Sequence, residues 1–257
     1  MRIRDLKLAR SGFFVLAFLM LSSGLGLSFA YADEYSAATT ASQTLPSPSK
    51  EVESVTRDLL KNFQDNQAYY KKNNDAFVKE TAKLLSPVIA FDSVARGVMG
   101  KYTRMATPLQ IKQFTETFES SLISFYGKAL LNINGKNIII EKVDAVPDRV
   151  MKDYQAGNIS QIPVTMTVKT SDSAVSIAYN MIFDEGRWKL RNIIVDGINI
   201  GSQFRRQFAE AVGQYYKNAS KETKTNADAI QYVIDNWLGI LSGTIKPSDD
   251  KAATSAG

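Results

Sequence analysis

The sequence predicts an α+β fold, a curved antiparallel sheet wrapped by several helices and enclosing an apolar cavity. Three observations predict it. Apolar residues recur every three or four positions up to about residue 131, every second position from 137 to about 200, and every three or four again to about 241. The alternating region is punctuated by turn residues such as Asp184-Glu185-Gly186, which marks antiparallel strands with one apolar face. One long helix carries an aromatic stripe that needs a large covering surface. Helices segregated from antiparallel strands define the α+β class.

The first 32 residues read as a secretory signal. Arg2, Arg4, Lys7 and Arg10 face a single acid, Asp5. The apolar run Phe13–Leu21 follows, then Gly24 and Gly26, then the small-x-small exit Ala30-Tyr31-Ala32. Cleavage is expected after Ala32. A retained membrane anchor is the competing reading, but the unbroken apolar run is short for a span of about 20 residues. Losing the segment lowers the formal net charge from +5 to +2, so the basic balance belongs mostly to the signal. No clustered basic face points to nucleic acid. Residues 33–50 are rich in Ala, Thr, Ser and Pro and read as a flexible leader. Residues 242–257 read as a flexible tail, leaving 51–241 as a single α+β domain.

Within that domain, Val52, Val55, Leu59 and Phe63 give a helix over Glu51–Tyr70. Asp75 caps a second helix, which Pro87 ends. A short helix with Val94, Val98 and Met99 lies within Phe91–Tyr102. Thr107-Pro108 starts the long helix, with Thr as N-cap and Pro at the first position. Phe114, Phe118, Leu122 and Phe125 form its stripe, and Asn134-Gly135 follows its end. Strands are expected over Asn137–Val146, Ile162–Lys169, Ala174–Phe183 and Arg187–Val195, with a short extended piece at Ile198–Ile200. Trp188, Leu190 and Ile194 define the apolar face of the fourth. Helices over Ser202–Asn218 and Ala227–Leu241 close the domain.

The chain has neither cysteine nor histidine. That excludes disulfides, thiolate nucleophiles, His-dependent triads and imidazole metal sites. Gly97-Val98-Met99-Gly100-Lys101 lacks the spacing and the hydroxyl residue of a phosphate loop. Ser-x-x-Lys occurs at Ser47–Lys50 and Ser248–Lys251, both in segments expected to be loose. Asp184 and Glu185 sit in a turn. The sequons at Asn158 and Asn218 carry weak information. No catalytic residue, metal or cofactor is expected.

An excess of apolar side chains remains on the sheet and the long helix. It either fills a core or lines a cavity for an apolar ligand, and periodicity alone leaves both open. The candidate lining comprises Val98, Met99 and Tyr102, then Phe118, Leu122, Phe125 and Tyr126 on the long helix. Strand positions Met166, Val168, Ile177, Tyr179, Met181, Ile194 and Ile198 complete it.

A series of short motifs adds to this. Phe91-Asp92 is followed by Val98-Met99-Gly100-Lys101-Tyr102-x-Arg104-x-Ala106-Thr107, then by Gln110, Phe114, Phe118 and Phe125-Tyr126-Gly127-x-Ala129-Leu130. Gly186-x-Trp188-Lys189-Leu190, Ile193-x-Val195-Asp196-Gly197-Ile198-Asn199-Ile200 and Arg205-x-Gln207-Phe208 continue it in order. Over about residues 51–240 the series resembles the toluene-tolerance family, the periplasmic C components of the Mla phospholipid transport system. Asn192 departs from it, standing where an acid is more usual.

The resemblance implies a nuclear-transport-factor-2-like sheet with added helices. It also implies a soluble periplasmic carrier that encloses the acyl chains of a phospholipid. Its partners would be an outer-membrane lipoprotein complex and an inner-membrane ABC transporter complex, and its work would maintain outer-membrane lipid asymmetry. Lys101 or Arg104 would lie near the headgroup. Two alternatives stand beside it. One is a carrier of another hydrophobic molecule, such as a hopanoid-like lipid. The other is an isomerase-type enzyme on the same scaffold, for which Asp196 is the candidate acid by strand parity with Trp188 and Ile194.

Overall fold

The computed structural model describes residues 45–130, 138–169, 173–218 and 225–245, with side chains of 126–130 outside the description. Helix α1, Pro48–Lys72, starts slightly earlier than its apolar spacing suggests. Ser47 is its N-cap, accepting from Lys50 N at 3.4 Å, and Pro48 occupies the first turn. The Ser-x-x-Lys pair at 47–50 is therefore a capping arrangement. The chain just before it is pinned as well: the Trp188 indole N–H donates to Pro46 O at 2.7 Å, and Leu45 packs against the core.

Helix α2 spans Asn74–Leu85, and Pro87 follows its end. Segment Val88–Ala90 then runs beside the sheet. Leu190 N donates to Val88 O at 2.8 Å, and Ala90 N donates to Leu190 O at 2.9 Å. Helix α3, Phe91–Met99, passes into a 3-10 turn over Gly100–Arg104. Helix α4 spans Pro108–Leu130. Thr107 Oγ1 accepts from Gln110 N, and Gln110 Oε1 accepts from Thr107 N, both at 3.1 Å, a reciprocal cap.

The sheet follows as a meander in the order β1-β2-β3-β4-β5. Its strands are β1 (Ile139–Val143), β2 (Ile162–Lys169), β3 (Ala174–Asp184), β4 (Arg187–Val195) and β5 (Ile198–Asn199). All neighbours are antiparallel. Two tight hairpins join the last three strands. Glu185-Gly186 and Asp196-Gly197 both adopt positive φ, at 49° and 78° and at 46° and 79°, as two-residue turns of matching twist require.

Helix α5, Asp148–Gln155, escapes the periodicity reading. At eight residues it spans about two turns, too short for its stripe of Val150, Met151 and Tyr154, none of them fully buried, to stand out as a period. It still serves the sheet, because Tyr154 Oη accepts from Phe183 N at 2.7 Å. Helices α6, Ile200–Asn218, and α7, Asn226–Ser242, complete the fold.

The helices form a layer against the inner face of the sheet. Helix α4 lies along α7, α3 and α2, and α6 along α3 and α7. Helix α1 meets the sheet at β2 and β1, whereas α6 and α3 meet it at β4. Aromatic packing holds the layer. Trp237 of α7 is fully buried with its ring 5.2–6.5 Å from Phe114, Phe118, Phe204 and Phe208. The pairs with Phe114 and Phe204 are edge-to-face, a geometry that adds to simple burial.

Candidate functional site

The inner face of the sheet is a set of apolar rows. One crosses all five strands: Val143, Met166, Ile177, Val195 and Ile198 stand opposite one another in register. Beside it run Val164–Tyr179–Ile193 and Ile162–Met181–Leu190. On β2 and β3, Met166, Val168, Ile177, Tyr179 and Met181 expose essentially none of their surface. Burial pushes the Tyr179 phenol well above its ordinary value, so it is neutral at physiological pH. Opposite this face, Val98, Met99, Phe118 and Leu122 are also buried in the helical layer. The structure thus brings most of the candidate lining into one interior, closed to solvent in this conformation.

The structure sets three candidates apart. Ile194 is half-buried on the other face, opposite Ala178 and Asn199, and its inward neighbours are Ile193 and Val195. The cause is a bulge. Register slips where Asn180 pairs with Asn192 but Met181 pairs with Leu190, leaving Arg191 as the extra residue. Trp188 and Leu190 face inward before the bulge, Ile193 and Val195 after it, so one parity cannot hold along the strand. Phe125 is 37% exposed, just past Ile123, the last α4 side chain described as buried. The Tyr126 side chain lies outside the described residues.

The same bulge corrects Asp196, which is no inward carboxylate. It is exposed in the β4–β5 turn, and its Oδ1 accepts from Ser176 N at 3.0 Å. The Asp-Gly dipeptide carried this signal. Lys101 and Arg104 are both exposed on the 3-10 turn, the Lys101 ammonium 5.2 Å from the Tyr102 ring centroid. Tyr102 itself is half-buried against Phe208, ring centroids 5.7 Å apart.

Several motif residues prove architectural. Gly100 has φ 57° and ψ −123°, a conformation essentially confined to glycine. A Cβ there would stand 3.3 Å from Arg205 Cδ. Arg205 Nε in turn donates to Gly97 O at 2.7 Å, tying α6 to the end of α3. Gly100→Ala is therefore expected to lose about 1–3 kcal/mol, readable as a lower urea midpoint. A midpoint unchanged from the parent would refute that role. Asn192 Oδ1 accepts from Gly201 N at 3.2 Å. The position needs an acceptor oxygen, which Asn supplies as well as an acid. Among the described residues no cluster of acidic side chains is arranged to hold a metal ion.

With this geometry in hand, the likenesses to known proteins fall into place. The family model described as MlaC protein matches residues 53–223. The toluene tolerance protein ttg2D of Pseudomonas putida is 33% identical over 214 residues, covering 82% of this chain and 88% of that protein. A solved structure of a phospholipid-binding protein from Ralstonia solanacearum, in complex with a phospholipid, superposes with a TM-score of 0.60. It is 19% identical, with 77% of this chain and 99% of that one covered, and shows the shared fold. The meander sheet, its helical layer and the motifs that join them are those of one family, and this chain belongs to it, the MlaC protein family.

Proposed function

We propose that this chain is a periplasmic phospholipid carrier that holds acyl chains between the inner face of its sheet and its helical layer. The observation that carries the reading is the unbroken apolar face across five strands, from Val143 to Ile198. Helix α1 meets the sheet at β1 and β2, and helices α3 and α6 meet it at β4. Met166 on β2 and Met181 on β3 are unbranched and adaptable, suited to a wall that yields to a flexible guest. The phospholipid in the Ralstonia solanacearum structure supports the ligand class.

The physical task requires no chemistry. Each methylene exposed to water costs about 0.8 kcal/mol, so a tail of about fifteen costs roughly 12 kcal/mol. Enclosure removes most of that barrier to crossing an aqueous gap. The chain would take lipid from one membrane complex and deliver it to another, the outer-membrane lipoprotein complex and the inner-membrane ABC transporter, and so sustain outer-membrane asymmetry. The amino-terminal signal would bring it to the periplasm.

Native mass spectrometry of the processed chain, followed by organic extraction, tests the reading. A phospholipid adduct is the expected result. Extraction of a hopanoid-like lipid instead would keep the carrier and change its cargo, and a chain that never takes up lipid would overturn both.

A further inference from the structure

We propose that the exposed turn leading into α4 is a docking surface for an anionic phospholipid bilayer. The inference rests on the carrier reading, which gives the chain a reason to visit a membrane. From Ser93 to Thr115 the sequence holds no acid, but it holds Arg96, Lys101, Arg104 and Lys112. Arg96 is engaged by Asp92 at 2.7 Å, and Lys112 lies 3.9 Å from Glu116. Lys101 and Arg104 are exposed and have no acidic partner among the described residues. At the start of α7, where Gln110 bonds Ala227 O, Asp228 is held by Thr225 of its own helix cap.

Large apolar side chains stand exposed beside these cations. Met105 is 46% and Leu109 63% exposed, with Pro108 exposed between them. Their backbone is firmly seated. Thr103 Oγ1 donates to Arg96 O at 3.0 Å, and Gln110 Nε2 donates to Ala227 O at 2.8 Å. Tyr102 is packed on Phe208, and Arg205 lies under Gly100. The exposure therefore belongs to a braced element. Side chains of this kind, standing out from a turn and flanked by unpaired cations, match an interface whose surface is negative and whose depth is apolar. An acidic protein would satisfy the cations but leave Met105 and Leu109 without an apolar counterpart.

Vesicle flotation of the processed chain, Asp33–Gly257, whose described fold begins at Leu45, tests the proposal. Vesicles of phosphatidylethanolamine with phosphatidylglycerol should carry the protein up, and vesicles of phosphatidylcholine should bind about tenfold less. Raising salt to about 0.5 M should release it, because exposed charges are then screened within a few ångströms. Lys101→Glu/Arg104→Glu should lose about tenfold or more in partitioning. Met105→Ser/Leu109→Ser should lose severalfold while the chain keeps its extractable lipid. Parent protein that ignores anionic vesicles at low salt overturns the proposal, even if an acidic protein binds the turn. So does binding that both double variants retain. Flotation is scored separately from lipid content, so a chain that docks yet carries no lipid would sink the carrier reading alone.

Discussion

Trp237→Ala is expected to lower the stability of the fold by about 3–5 kcal/mol. The indole is fully buried where α4, α6 and α7 meet, with four phenylalanine rings around it. Truncation opens a cavity that four aromatic rings cannot fill without leaving their rotamers. Against a total stability of about 5–15 kcal/mol, such a loss leaves a marginal protein. Trp237→Phe separates packing from polarity. The indole N–H is buried with no hydrogen-bond partner among the described residues, and an unmet donor costs about 1–3 kcal/mol. The phenylalanine variant removes that cost and keeps much of the ring, so its loss should fall well short of the alanine value. Urea denaturation measures both. An alanine variant within 1 kcal/mol of the parent, on the order of a surface substitution, would show that the cluster does not organise the helical layer.

The second large effect concerns cargo. Leu122→Glu and Met181→Glu place a carboxylate in the closed interior, one from the helical layer and one from the sheet, where neither residue exposes any surface. An unpaired buried charge costs several kcal/mol and repels an acyl chain for the same reason. Both variants should lose retained phospholipid, read by extraction and mass spectrometry on protein first shown to be folded by circular dichroism. Met181→Gln keeps the side-chain length without the charge and should reduce the lipid content even if the glutamate variant fails to fold. Thr167→Glu on the outer face, paired with Lys142 in the sheet, should retain lipid in full. A folded Met181→Glu chain with a normal lipid content would place the tails elsewhere.

The contrast between what was legible in the residues and what was not follows the range of the interactions involved. Alternation on β2 and β3 is local, and Ile162–Val168 and Val175–Met181 face inward as their spacing indicates. The stripe from Phe114 to Leu122 is local too, and it is buried. On β4 the alternation misleads because the bulge at Arg191 is decided by pairing with β3, which no run of β4 residues announces. The same bulge turns Asp196 outward, and Asp-Gly there is a local turn signal that runs against strand parity. Ser47 before Pro48 was likewise a readable helix start. The clasp of Arg205 on Gly97 O, with its side chain beside Gly100, joins residues more than a hundred positions apart, so the motif was visible but its purpose was not.

The meander order of the sheet bears on how the chain reaches its native state. Every strand pairs with the strand next to it in sequence, so the sheet can zip up hairpin by hairpin at small loop-closure cost. The helical layer has the opposite character. Helix α4 finds its cover in α7, the last of the described elements, and Trp188 reaches back to Pro46. Phe114 and Phe118 thus stay without their indole partner until the carboxy-terminal helix arrives. Under the export proposed above, the most cohesive cluster would not set until the end of the chain had crossed the membrane.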